Sequence, residues 1–336
     1  MAVELDLDPE RADQATVKTR LRETPLQSAS PSIGYSTNIG PRVGLEYTHR
    51  RPFGRDFVAS TKLQIAREEE SASIDFATYP DRRGYSNLLS LSAGRLNSGG
   101  APTETQRIRV GRQRDTERLD RLYYLEFNRT MVETDTQRDA SRALWGNYEW
   151  ARRAVNNVQF PTRGFIWRAQ GGGGYAVDEE DDKGPFARLY LQGSWYQPLG
   201  GPWYSLLRAE GAQVLRKGGL EIPDSLLFRA GGDSSVRGYG YRTLGPERDG
   251  AVVGGVVMAT GTAELMRRLS DRWRDWYLAA FADAGNAADG WQDISPALGY
   301  GVGVRWRSPV GPLRIDLAYG QREQELRLHI SVGVSF

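Results

Sequence analysis

The chain has 336 residues, a formal charge of +2, 39% hydrophobic and 26% charged residues, and a mean hydropathy of -0.55. With 39 Gly, 16 Pro, nine Trp and 16 Tyr it is neither a coiled coil nor a disordered charged tail, and its balanced charge gives no electrostatic case for nucleic acid. No window approaches the roughly 20 consecutive apolar residues of a membrane helix, but a membrane barrel stays open, because a barrel strand meets lipid only at every second residue.

Cysteine is absent, so disulfides and thiolate metal sites cannot exist. Met1 to Pro9 is acidic and alternating, with neither the basic nor the apolar region of a secretion signal, so a chain acting outside the cytoplasm is expected to be a mature fragment. From there on, period-two alternation dominates. Ile74 and Phe76 flank Asp75; Tyr123, Leu125 and Phe127 oppose Glu126 and Asn128; Leu189, Leu191 and Trp195 oppose Arg188, Gln192 and Ser194. In the last segment Leu326, Leu328, Ile330, Val332, Val334 and Phe336 form one wholly apolar face.

Such runs predict sixteen strands, beginning near residues 32, 42, 55, 71, 85, 104, 118, 143, 163, 186, 203, 251, 273, 297, 311 and 325. An even number lets an up-and-down sheet close with both chain ends on one side of a membrane. After odd-numbered strands come Asn97 to Gly100, Val132 to Ser141, the acidic Asp178 to Asp182 and the span from about Arg216 to Gly250, which predicts long loops on that side. After even-numbered strands come the short turns Arg51–Gly54, Pro80–Gly84 and Ser308–Gly311, with Asn156–Gly164 longer.

A soluble sandwich or propeller would alternate as well. Its core would have to pair each of Arg107, Arg109, Arg188, Arg208, Glu210, Arg305, Arg314 and Asp316, since an unpaired buried charge is costly. A water-filled lumen accepts them, and the apolar face then meets lipid while every backbone amide is paired around the ring. Trp195, Trp203, Trp273, Trp276 and Trp306 lie near predicted strand ends, where interfacial aromatics belong. The fold class expected is therefore all-β, a 16-stranded antiparallel transmembrane barrel.

The segment from Phe228 to Tyr239 contains Gly231, Gly232, Asp233, Val236, Arg237, Gly238 and Tyr239 in the order Gly-Gly-Asp-x-x-Val-Arg-Gly-Tyr, followed by Gly245–Pro246. With Phe160 to Gly164, Phe281 to Gly285, Gly301 to Ala318, Gly34 to Thr37 and an aromatic carboxyl terminus, Phe336, the set resembles the POTRA-plus-barrel family that assembles or secretes proteins at bacterial outer membranes. The TamA type of barrel is the nearer match, BamA-type barrels the second. The resemblance implies that residues 28–336 are the barrel and residues 1–27 the end of a periplasmic POTRA domain and a linker. It implies a long loop folded into the lumen, with Arg237 paired to Asp283 and to Glu264 on the wall. From the residues alone, an exposed loop arginine and an unconnected strand-end aspartate would be the plainer reading.

It implies further a lateral gate between first and last strands, with Ser32, Ile33, Gly34, Tyr35 and Ser36 on one side and Gly333 and Phe336 on the other, where Gly333 would let the last strand kink. Gly333 could equally be a position that merely tolerates glycine. Cysteines on the first and last strands, for instance at Tyr35 and His329 or neighbouring positions, are expected to crosslink across this seam and block client assembly. The implied location is the outer membrane of a Gram-negative bacterium. The implied partners are its lipid bilayer, client outer-membrane proteins such as autotransporters, and an inner-membrane-anchored TamB-like protein reached through POTRA domains outside this chain.

Enzymatic motifs are lacking: only His49 and His329 occur, there is no Gly-x-Ser-x-Gly elbow, and Gly171 to Gly174 lacks the Gly-Lys-Ser/Thr of a phosphate loop. No catalytic residue, cofactor or metal is expected. A two-partner secretion pore or a passive porin would share the strands, and the porin would lack the Arg-Gly-Tyr loop.

Overall fold

The computed structural model describes residues 2–6, 16–20, 24–133, 138–308 and 311–335. Sixteen antiparallel strands form one closed barrel: β1 (Gln27–Ser36), β2 (Gly40–His49), β3 (Phe57–Ala66), β4 (Glu69–Thr78), β5 (Ser86–Ser98), β6 (Ala101–Asp115), β7 (Leu119–Glu133) and β8 (Arg138–Val155). The ring continues through β9 (Gly164–Val177), β10 (Lys183–Gly200), β11 (Trp203–Arg216), β12 (Val257–Arg268), β13 (Trp276–Ala288), β14 (Ala297–Ser308), β15 (Gly311–Gly320) and β16 (Glu325–Ser335). Each strand pairs with its neighbours in sequence, and β16 returns to β1. Ala2–Asp6 and Thr16–Arg20 pair as a separate hairpin. Phe336 lies outside the described residues, as do residue 1 and residues 7–15 and 21–23.

Alternation decides the two faces. Ile65, Leu191, Val302 and Leu328 are more than half exposed on the outer surface, while Glu126, Asp283, Arg305 and Asp316 on the inner one are nearly inaccessible. Closure leaves no open strand edge in hydrocarbon, where an unpaired amide costs several kcal/mol. Tryptophans gather on the side of the chain termini: Trp276 stacks on Trp306 at 5.2 Å, and Trp273 meets Trp276 edge-on at 6.3 Å. On the opposite side, Tyr300 and Tyr319 pair at 5.6 Å. These are the two interfacial belts of a membrane barrel.

The expectation of long loops on one side is corrected. Gly99–Gly100 is a two-residue turn between β5 and β6, Asp178–Asp182 only just joins β9 to β10, and β7 and β8 run far into the segment read as a loop. One connection is long, residues 217–256 between β11 and β12. It also absorbs the predicted start of the twelfth strand: Ala251–Val252 pairs with Glu247–Arg248 inside the loop, and β12 begins at Val257.

The lumen is less watery than the sequence suggests. Leu226, Phe228, Val236, Tyr239 and Leu244 of the loop pack against Trp145, Phe186, Val214 and Met258 of the wall, so the apolar core of the molecule lies inside the barrel. Wall height varies too, since β8 and β10 have 18 residues each whereas β1 to β4 have 10 each. A closed barrel of this kind should resist detergent at room temperature. Unboiled protein is expected to migrate differently from boiled protein on a denaturing gel, and identical migration would speak against closure.

Candidate functional site: the lumenal loop and the closing seam

The loop enters the lumen through a one-turn 3-10 segment at Asp224–Leu226. Ser225 Oγ lies 2.8 Å from Thr130 Oγ1 and donates to Asn128 Oδ1 at 3.0 Å, while Arg188 Nε donates to the Leu226 carbonyl at 2.9 Å and its guanidinium covers the Phe228 ring at 4.6 Å. Asp224 holds the two limbs of the loop together, accepting from Arg229 Nη1 at 2.6 Å and from the Gly254 amide at 3.0 Å. The loop is thereby fixed at its base on β7 and β10.

Its apex crosses to the other wall. Arg237 is inserted among three carboxylates from three strands. Its Nε and Nη2 donate to the two oxygens of Asp283 on β13 at 2.7 and 3.0 Å, and its Nη1 donates to Glu264 on β12 at 2.8 Å and to Asp316 on β15 at 3.2 Å. The guanidinium also lies 3.4 Å from the centroid of the Phe281 ring. A planar fork matched to a carboxylate fixes direction as well as distance, which a lysine could not do. Arg305 on β14 completes the set, bonding Glu264 through Nε and Nη2 at 3.2 and 2.9 Å and Asp316 through Nη1 at 2.5 Å. Each of these charges is buried and paired, so the lumen accommodates them by pairing and not by water.

Glycine makes the close approach possible. Gly238 has φ 92°, in the left-handed region that other residues avoid, and a Cβ there would meet the Gly320 backbone nitrogen at 2.7 Å. On the wall, a Cβ at Gly299 would run into the carbonyl oxygen of Arg237. The Tyr239 hydroxyl donates to the Leu298 carbonyl at 2.9 Å and accepts from the Arg322 amide at 3.0 Å.

The expected pairing of Arg237 with Asp283 and Glu264 is present. Asp316, Arg305 and His329 belong to the same site and were not assigned to it from sequence, although Asp316 and Arg305 stood on the predicted polar face. Their parity was legible and the strand register that brings them to Arg237 was not.

The seam differs from expectation in extent. Five residue pairs join β16 to β1 among the described residues, from Ser331↔Ser36 to Ser335↔Ser32, where β3–β4 has nine and β7–β8 has fifteen. Gly333 falls opposite Gly34, and Val332 opposite Tyr35. His329 is not a seam residue: it pairs with Asp316 on β15, and its Nε2 accepts the Gly238 amide at 2.9 Å. Gly34 leaves room for Arg42, whose Nε would lie 2.6 Å from a Cβ at that position.

Loop and seam are mechanically joined. On the β16 side the loop is held by His329. On the β1 side, Asn38 in the turn after β1 donates to Asp233 Oδ1 at 2.5 Å and accepts from the Asp233 amide at 3.2 Å. The loop tip thus spans the seam from within. Asn38→Ala is expected to cost about 1–2 kcal/mol at this contact and to speed hydrogen exchange at Gly232 and Asp233, while leaving exchange near Arg237 unchanged.

Fold and site together define a transmembrane barrel with a lumenal loop locked across its closing seam. The Omp85 superfamily domain matches residues 27–336, and the chain belongs to that superfamily. It is 25% identical over 339 residues to the outer membrane protein assembly factor BamA of Nitratidesulfovibrio vulgaris, covering 95% of this chain and 42% of that protein. It is 28% identical over 259 residues to BamA of Neisseria meningitidis serogroup B, covering 64% of this chain and 32% of that one. The chain thus spans less than half the length of these curated relatives. Among solved structures, BamA from Haemophilus ducreyi lacking POTRA domains 1–3 superposes with a TM-score of 0.79 at 16% identity, over all of this chain and 75% of the other. CdiB from Acinetobacter baumannii gives 0.64 at 13% identity, over all of this chain and 66% of the other. These likenesses carry the superfamily and its outer-membrane barrel fold, and they do not single out the TamA branch.

Proposed function

We propose that the chain is the barrel of an assembly or translocation factor in the outer membrane of a Gram-negative bacterium. It would admit client outer-membrane proteins through the seam between β1 and β16 without making or breaking covalent bonds. The observation that carries this reading is the five-pair seam. Neighbouring strands elsewhere in the ring are held by longer ladders, so the cheapest place to part the wall is here, and an exposed strand edge is a template for a client strand.

Within that function, the Gly-Gly-Asp-x-x-Val-Arg-Gly-Tyr loop and the first-strand motif favour a TamA-type factor serving autotransporter-type clients, with a TamB-like partner engaged through POTRA domains. The second reading is a general BamA-type insertase, favoured by the BamA relatives. Reconstituted in vesicles as the protein that naturally carries this barrel, it is expected to speed the folding of unfolded barrel clients well above the rate in empty vesicles. Acceleration confined to autotransporters supports the TamA type, acceleration across unrelated barrels supports the BamA type, and no acceleration contradicts both.

A further inference from the structure

On the outer surface at the terminal side, β5, β6 and β7 present a cluster that neither the loop nor the seam uses. Arg114 and Arg121 are direct cross-strand partners on the lipid-facing side, and Arg112, one outward position along β6, faces Tyr123. Like charges set opposite each other repel, so such a pair is a net cost unless an anion lies between. The turn between β4 and β5 folds beneath them: the guanidiniums of Arg112 and Arg114 lie 5.0 and 5.7 Å from the ring centroid of Tyr85.

The carboxylate in contact with this cluster is Asp81, and Arg112 takes it. Two further arginines, Arg82 and Arg83, are exposed in the same turn, while the neighbouring Asp120 points to the inner face and is bonded by Arg153 at 2.9 Å. Positive charge is therefore left over at one spot. The Nε atoms of Arg112 and of Arg121 are shielded from solvent and have no hydrogen-bond partner among the described residues. Both signs point to a missing anion.

The surroundings say which kind. Toward the barrel's middle the same strands expose Ile108, Val110 and Leu125, and an outward-facing groove of about 450 Å³ lies beside them, lined by Leu63, Ile74, Leu91, Ile108 and Phe127 around the small Ala72 and Ala93. Ile108 is four residues from Arg112, a distance of about 13 Å along a strand, which is within reach of an acyl chain whose headgroup sits at the arginines. Arginines beside interfacial aromatics at a membrane boundary suit a phosphodiester, which a guanidinium grips through two oxygens.

We propose that Arg112, Arg114 and Arg121, arranged around Tyr85, form a binding site for the headgroup of an anionic glycerophospholipid in the leaflet on the terminal side, with an acyl chain in the adjoining groove. The site holds the β4–β7 wall at a fixed depth. It rests on the membrane-spanning fold and not on the proposed function.

The test incubates the detergent-purified chain with equal amounts of phosphatidylglycerol and phosphatidylcholine of identical acyl chains, and measures the lipid retained after gel filtration by mass spectrometry. The wild type is expected to retain phosphatidylglycerol selectively. Arg114→Gln/Arg121→Gln is expected to lower that preference about tenfold or more, and Arg114→Lys/Arg121→Lys to keep most of it. Folding is checked by heat-dependent gel migration, and Arg112→Gln is read in its place if the double glutamine variant does not fold. Equal retention of both lipids by the wild type, or a preference that survives the glutamine substitutions, overturns the site. Displacement of the lipid by millimolar inorganic phosphate would mark a free-anion site and overturn the assignment to a phospholipid.

Discussion

Arg237→Ala is expected to release the lumenal loop while leaving the ring closed. Removal of this side chain takes from Asp283 its guanidinium partner and leaves Glu264 and Asp316 to Arg305, in a region almost without solvent. Breaking a buried pair by deleting one partner typically costs about 3–5 kcal/mol, because the remaining charge has neither water nor a counter-ion. The loss falls on loop docking, since the strand ladders on either side do not depend on Arg237. Limited trypsin digestion reads it directly: Arg229, whose side chain is 1% exposed in the intact loop, is expected to become cleavable while the barrel keeps its heat-dependent migration. Arg237→Lys, which keeps the charge but loses the two-pronged contact to Asp283, should fall between the two. A digestion pattern in Arg237→Ala identical to the wild type would mean that the loop is held by its base on Asn128, Thr130 and Arg188 instead.

The sequence made the barrel legible because lipid on one face and a polar interior on the other force a strict alternation, clearest in β16, where Leu326, Leu328 and Ile330 oppose Arg327 and His329. It also pointed to the partners of Arg237 through their motif. What it could not convey was register. Asp316 and Arg305 read as two lumenal charges among many, and only the pairing of β13 with β14 and of β14 with β15 brings them to Arg237. His329 was misplaced for the same reason: the seam ladder ends at Ser331 opposite Ser36, so His329 lies beyond the last paired residue of β1 and holds the loop instead. The inner apolar patch around Trp145 and Phe186 was hidden because the alternation rule assumes that inward means polar. Here the loop supplies Leu226 and Phe228 as an apolar partner that no local pattern announces. The run Ala251–Val256 read as a strand start on its valines and glycines, and its first two residues are indeed extended, but they pair within the loop.

The proposed activity stands or falls with the seam. If clients enter between β1 and β16, a covalent link across that ladder must stop them, whatever the state of the loop. Tyr35 and Val332 are direct partners on the outward side, and directly opposed strand residues have the Cα separation a disulfide requires. The chain has no cysteine of its own, so Tyr35→Cys/Val332→Cys introduces one defined bridge. His329 is unsuited to this purpose because it holds Gly238. The decisive measurement is the rate of client folding into vesicles containing this variant in its natural full-length protein, oxidised and then reduced. The account predicts that the oxidised form falls to the rate of empty vesicles and that reduction restores the wild-type rate. Equal client folding with the bridge fully formed and fully reduced would contradict it.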